Sequence, residues 1–434
     1  MAELSTKKHG EFVQGNTRCV SARSRNANTP VEIMTGTAVD NDRTGANTLS
    51  QSPDLQALEK GPATKSRNVQ LDVLRAIAIL LVLSMHLMLV HTPRWWEALI
   101  VNHGWAGVDL FFVLSGYLIS GLLFAEFKKT GDIRFKRFAF RRAMKIWPPL
   151  YTLTCGTLAW RLYHDFSLKP FTPFLRDVLF LNSYLPGTYG QFWSLAVEEH
   201  FYILLPLCLF FMLRAAPRDE NPFRAIPRLF MIVASLALIA RIVTAVSFRS
   251  FDHFVHFFPT HLRIDSLMFG VLLGYYHHFH GVRLQHLIKD RLPFLFLASI
   301  LLLAPCFILI GQNPFMYTVG FTLNYLGFGL LMLVFLQVAL PAGGIIGHGT
   351  RALARMGEYS YSIYLWHISV LYVISESPLR PASLWYFVAA IIVGICMSKL
   401  IEIPTLRLRD RLSEQLFTAG TSSNARPVSR IAAA

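Results

Sequence analysis

An all-α polytopic membrane protein, with about ten transmembrane helices and both termini cytoplasmic, is what this sequence predicts. Three observations carry that prediction. Of the 434 residues 53% are hydrophobic and only 15% charged, and the mean hydropathy of +0.42 is far too apolar for ordinary soluble domains. Apolar runs of spanning length recur from Leu71 onward, separated by polar or proline-rich breaks. Lys and Arg gather in alternate loops, 17 on one side against 5 on the other, which assigns the richer side to the cytoplasm.

Residues 1–67 are rich in Ser, Thr, Asn and Gly and lack a sustained hydrophobic period, so a disordered cytoplasmic tail is expected there. No apolar stretch within it resembles a secretory signal. The spans are expected at 71–91, 105–125, 147–163, 192–213, 227–247, 261–278, 292–311, 316–338, 357–375 and 383–403. A piece at 174–185 is too short to cross and reads as an interfacial or re-entrant segment. Before the third span, IRFKRFAFRRAMKIWPP sets Arg134, Arg137, Arg141 and Lys145 opposite Phe135, Phe138, Ala139 and Ile146, the pattern of a helix lying in the interface. The transmembrane domain is therefore expected over 68–406, with 407–434 as a second cytoplasmic tail.

Gly116 with Ser120, Gly270 with Gly274 and Gly327 with Gly329 fit close helix packing. Five scattered cysteines suit small buried hydrophobes better than a disulfide frame. Although the net charge is +15, the aromatics lie in the spans rather than on a basic groove, so nucleic acid is not an expected partner. No metal is expected either, because His200, His256, His261 and the His277, His278, His280 cluster lack carboxylate partners at ligand spacing.

The first span, LDVLRAIAILLVLSMHLMLVH, carries ionisable groups where they are costly. Arg75 and His86 are eleven positions apart, which at about 100° per residue brings them within about 20° of one face and about 16 Å along the helix axis. One can sit at a membrane surface while the other lies deep. Asp109, Glu198, Glu199, Arg263, Asp265 and His367 fall at depths comparable to that of His86 in other spans. The simplest assembly is a polar pocket centred on His86, oriented by a carboxylate such as Asp109 or Glu198, with Arg263 paired to Asp265. Such an imidazole suits general-base work or carriage of a transferred group; structural interhelical hydrogen bonds or a proton relay are the alternative. Arg75 shares its end of the stripe with Arg141, Arg142 and Lys145, and converging cations there suit a phosphate. A ligand with an anionic head and a long thin arm, such as acyl-coenzyme A, has the right shape.

These residues resemble the acyltransferase-3 family of integral membrane acyltransferases, which modify cell-surface glycans, lipids and some antibiotics. LDVLRAIAILLVLSMH is similar to its Arg-x10-His motif, GVDLFFVLSGYLIS at 107–120 to its second-span signature, and RRAMKIWPPLY at 141–151 to its Arg-Arg-x-x-Arg-Ile-x-Pro-x-Tyr. FWSLAVEEHFYILLP at 192–206, RIDSLMFG at 263–270 and YSYSIYLWH at 359–367 are similar to later motifs, so the likeness runs from about 71 to 406. Lys145 stands where the family usually has Arg, which keeps charge but gives up bidentate geometry. After Pro404 thirty residues remain, so the appended hydrolase-like domain of some relatives is expected to be missing.

The resemblance implies a multi-pass protein of the cell inner membrane, acting in cell-envelope modification with no tightly bound cofactor. Acyl-CoA, acetyl-CoA above all, would donate to a hydroxyl of a polysaccharide, lipid-linked sugar or lipo-oligosaccharide. Arg75, Arg141, Arg142 and Lys145 would hold the CoA phosphates, and His86 would accept the acyl group or deprotonate the acceptor. Glu198 and Asp109 would serve His86, while Glu199, Arg263, Asp265 and His367 would shape the pocket or orient the acceptor. Two rivals stand beside this reading. A transporter or flippase for an anionic glycan or lipid would also use intramembrane charge, although no inverted repeat is visible. A non-catalytic scaffold would leave His86 without a purpose.

Overall fold

The computed structural model describes residues 68–87, 101–164, 169–216, 221–341, 343–376 and 382–418. The tail expected over 1–67 and the last residues of the second tail lie outside the described residues. Every residue described belongs to the compact unit that begins at Arg67. Helices α1 (Val69–His86), α2 (Ala106–Thr130), α3 (Phe135–His164), α4 (Phe171–Val178) and α5 (Phe192–Ala215) come first. Then follow α6 (Ile226–Ser247), α7 (Ile264–Phe279), α8 (Gly281–Lys289), α9 (Leu292–Ile308) and α10 (Phe321–Phe335). The chain ends in α11 (Gly344–Glu358), α12 (Ser360–Glu376), α13 (Ala382–Met397) and α14 (Ile403–Thr418), and no strand occurs among the described residues.

A helix occupies part of each of the ten predicted runs, but among the described residues six helical segments are long and apolar enough to cross a membrane, or seven if the α8–α9 pair, bent by 85°, is one span. The shortfall has simple causes. Helix α3 is polar through its first half, and α7, α9 and α12, at 16, 17 and 17 residues, stop just short of spanning length. The protein is a multi-pass membrane protein.

One local expectation changes. The interfacial helix expected before the third span and that span itself are one 30-residue helix, α3, running through Pro148 and Pro149. Prolines remove helical donors. Beside them the Tyr361 hydroxyl donates to the Ile146 carbonyl at 2.6 Å, tying α3 to α12. Within the expected second tail, α14 continues to Thr418 and packs along α3. Arg137 Nε donates to Ser413 at 3.3 Å there, and Arg141 pairs with Asp410 at 2.9 Å.

Helix α1 starts where Asn68 accepts from the Leu71 amide at 3.2 Å, an N-cap that meets one of the orphan donors. It is then held by neighbours that come almost to backbone contact. A Cβ on Gly107 would lie 2.4 Å from the Ala78 carbonyl oxygen, and one on Gly357 only 1.8 Å from that of Asp72. The same economy joins α2 to α7, where a Cβ on Gly116 would sit 1.9 Å from the Leu267 carbonyl oxygen and one on Gly270 2.2 Å from that of Val113. Gly357→Ala must therefore push α11 from α1 at an overpacking cost of about 1–3 kcal/mol. The expected result is a lowered melting temperature in detergent; an unchanged one would contradict this packing.

Candidate active site

Helix α1 delivers its two polar side chains into two different cavities. Arg75 lines the first, of about 420 Å³, together with Arg142 and Lys145 of α3, Ser115 of α2 and Glu198 of α5. His86 lines the second, of about 580 Å³, whose walls are largely aromatic. Val108 of α2 and Tyr364 of α12 belong to the walls of both. Tyr364 is fixed at this junction, its hydroxyl donating to the Gln191 carbonyl at 2.8 Å and meeting that of Ser194 at 2.5 Å.

The tautomer of His86 follows from its own helix. Nδ1 lies 2.9 Å from the Val82 carbonyl oxygen, and because a carbonyl only accepts, Nδ1 carries the hydrogen and, in the neutral ring, Nε2 keeps its lone pair. The ring of fully buried His367 meets that of His86 edge-on, with centroids 4.9 Å apart. His367 Nδ1 is engaged by the Tyr364 carbonyl, and its Nε2 has no hydrogen-bond partner among the described residues.

The carboxylate expected to orient His86 is therefore replaced by a backbone carbonyl. Asp109 turns instead to Arg263, which donates to it at 2.6 Å, and to Asn324 at 3.3 Å. Glu198 accepts from Tyr202 at 2.6 Å and Ser115 at 3.1 Å, and Tyr202 in turn receives a hydrogen bond from Arg142, whose guanidinium also lies 4.1 Å from the Tyr202 ring centroid. In an apolar bundle each carboxylate is drawn to its nearest cation or donor, since an uncompensated charge is costly.

The pairing expected between Arg263 and Asp265 is also exchanged. Asp265 takes Arg241 at 2.7 Å, so two fully buried ion pairs clamp α2, α6 and α7 together. Arg263 further lies 3.7 Å from the Phe321 ring centroid and 4.9 Å from that of Phe257. Asp109, Arg263 and Asp265 line neither cavity; Arg263 supports the second from behind Phe257.

Arg141 points away to Asp410, partly exposed, and does not join Arg142 in the first cavity. Neighbouring residues of one helix diverge by about 100°, so only one of the two could face inward. Glu199 accepts from Trp147 at 3.3 Å and lines neither cavity. His277 and His278 also stand in the first cavity's wall. Burial, with the Arg75 and Arg142 guanidiniums beside it, pushes the Lys145 ammonium down to about 7.

Several partners were not singled out from the sequence. Arg241, in the middle of an apolar run, carries the signal of an intramembrane charge that must be paired. Tyr202 lies one helical turn beyond Glu198, on the same face. Tyr364, Gln191 and Ser194 bear no such mark, because their place comes from the approach of α12 to α5.

A basic cavity able to hold an anion thus adjoins one that presents a free imidazole nitrogen. A family model described as an acyltransferase domain matches residues 68–402. Similar proteins include O-acetyltransferase OatA of Staphylococcus aureus strain NCTC 8325 / PS 47 and OatA of strain COL, each 27% identical over 327 residues, covering 70% of this chain and 51% of the relative. The chain spans about half the length of these curated relatives. No solved structure matches it. With the acyltransferase domain matched across most of its length, from residue 68 to 402, the chain belongs to the acyltransferase-3 family.

Proposed function

We propose that this chain is a membrane O-acyltransferase that moves an acyl group, foremost acetyl, from cytoplasmic acyl-CoA to a hydroxyl of a sugar-containing acceptor. The observation that carries the reading is the pair of cavities, one basic and one holding His86, that share Val108 and Tyr364. The names of the relatives, O-acetyltransferases, support the acetyl choice. With ten spans in the cell inner membrane, the Lys and Arg bias supports an orientation in which both termini and the basic cavity face the cytoplasm.

In this scheme Arg75, Arg142 and Lys145 hold the CoA phosphates, and the pantetheine arm passes Tyr364 to bring the thioester to His86. Glu198, through Tyr202, holds Arg142 at the cavity wall. Bare Nε2 of His86 then acts in one of two balanced ways. As a base, it takes the proton of the acceptor hydroxyl while that oxygen attacks the thioester carbonyl, and the departing CoA thiolate recovers the proton. As a nucleophile, it attacks the carbonyl itself and releases CoA thiolate, and in a second step the acceptor hydroxyl takes the acyl group and gives up its proton, which neutralises the thiolate, so that the imidazole is restored. Labelled acyl trapped on the protein would separate the second route from the first.

Lys145 gives donor binding a pH dependence. In the free protein its ammonium titrates at about 7, so above that pH a bound phosphate must recruit a proton to it. The Kd for CoA is expected to rise with pH, by up to about tenfold per unit above 7, while below 7 this group adds no further change. Lys145→Arg keeps its charge throughout and should flatten the profile relative to wild type. Calorimetric titrations at pH 6.5 to 9 check this, and parallel profiles for the two proteins would exclude Lys145 from the phosphate site.

The function itself is tested by mass spectrometry of surface glycans from cells with and without the chain. A gain of one acyl unit on a glycan is expected, and glycan redistribution without acylation would favour transport instead.

A further inference from the structure

The first cavity runs lengthwise along one helix. Val108, Phe111, Ser115, Leu118 and Leu122 recur in its wall at alternating steps of three and four, a single stripe of α2. At about 1.5 Å per residue that stripe is about 21 Å long, so positions on α2 give the level of each group beside it. Near the Val108 end stands Tyr364, its ring 6.3 Å from that of Phe111, beside the cavity that holds His86. Midway, Ser115 meets Glu198 at 3.1 Å and Tyr202 at 2.8 Å, and Tyr202 receives Arg142, so the guanidinium belongs to this level. Toward the Leu122 end the His277 ring lies 5.8 Å from that of Tyr117, and a Cβ on Gly121 would stand 3.3 Å from His278 Nε2. Both imidazoles line the cavity, His277 exposed and His278 half-buried, so a ligand in the groove has access to them.

The sequence of junction, guanidinium and imidazoles matches the order of parts in a CoA thioester, which is acyl-bearing arm, diphosphate and phosphorylated adenosine. With the diphosphate at Arg142 and the arm directed to Tyr364, the adenosine extends toward His277 and His278. What these two side chains offer suits its base. Their rings stand 5.2 Å apart with 73° between their planes. A purine can stack on the face of one, and its ring nitrogens and amino group complement the edge of the other, because a neutral imidazole both donates and accepts. The Lys128 ammonium is taken up by the His278 carbonyl, lies 5.4 Å from the Phe279 ring centroid and is not part of the cavity wall.

We propose that His277 and His278 form the adenine subsite of the donor, so that the chain takes its acyl group from a carrier bearing the nucleotide rather than from the phosphopantetheine arm alone. This rests on the acyl-CoA reading above and adds to it a recognition element at the far end of the donor.

The test measures calorimetric affinities of the purified full chain for CoA, dephospho-CoA, which lacks the ribose phosphate, and phosphopantetheine, which lacks the adenosine. Wild type is compared with His277→Ala combined with His278→Ala, and with His277→Phe combined with His278→Phe. The alanine pair should weaken CoA and dephospho-CoA alike by about five- to hundredfold, the scale of one stacked base, and leave phosphopantetheine affinity unchanged. The phenylalanine pair keeps a stacking surface and should recover a large part of that loss. Unchanged CoA affinity in the alanine pair would overturn the assignment. So would an equal loss of phosphopantetheine affinity, which would make the histidines a support of the diphosphate site, or a loss confined to CoA, which would give them the ribose phosphate instead. A wild-type chain that binds none of the three compounds would refute the acyl-CoA reading itself.

Discussion

His86→Ala is expected to lower acyl transfer by about a hundred- to ten-thousandfold, the range in which a positioned base contributes, while leaving acyl-CoA affinity close to wild type. The separation follows from geometry. His86 lines the aromatic cavity, and Arg75, Arg142 and Lys145 line the other, with Tyr364 and Val108 between them. Its Nε2 is available because Nδ1 is committed to the Val82 carbonyl at 2.9 Å, an arrangement the helix supplies without a carboxylate. Measuring label transfer from acetyl-CoA alongside the Kd for CoA distinguishes the outcomes. A variant that loses donor binding and transfer together would place His86 in the donor site, and a variant with full activity would remove it from the chemistry.

The second large effect concerns stability. Arg263→Met leaves Asp109 buried, 0% exposed, with only the Asn324 amide at 3.3 Å, and breaking such a pair costs about 3–5 kcal/mol. A large fall in melting temperature and in yield is expected. Asp109→Leu combined with Arg263→Met removes both charges, and the double variant should recover most of that loss. Transfer activity discriminates the two roles open to Arg263. If the pair only clamps α2 against the loop that starts α7, the recovered protein transfers acyl groups at near wild-type rate; a stable but inactive double variant would return Arg263 to the acceptor site.

Much of this was legible in the residues, and the exceptions have common physical causes. The eleven-residue interval between Arg75 and His86 is a property of one rigid helix, so a shared stripe could be read directly. The glycine pairs likewise mark close contacts, because a residue without Cβ in an apolar run has few other uses. Pairing between helices is different. Asp265 lies two residues from Arg263, yet Arg241 captures it from α6 while Arg263 reaches across to α2. Sequence distance says nothing about which of two nearby carboxylates a guanidinium meets. Arg141 and Arg142 look equivalent in a basic run, but α14 supplies Asp410 to one and the cavity receives the other.

By itself the sequence determined a helical, multi-pass membrane protein of this family, and on its first helix it set a cation and an imidazole on one face, since composition and helical period act within a single segment. Tertiary structure alone decided which carboxylate meets which arginine, that Asp109 and Glu198 turn to partners other than His86, and that Tyr364 stands where two cavities meet. Those outcomes depend on how several helices approach one another at distances of a few ångströms. In a low-dielectric interior, each buried charge or donor takes whichever partner that packing brings nearest.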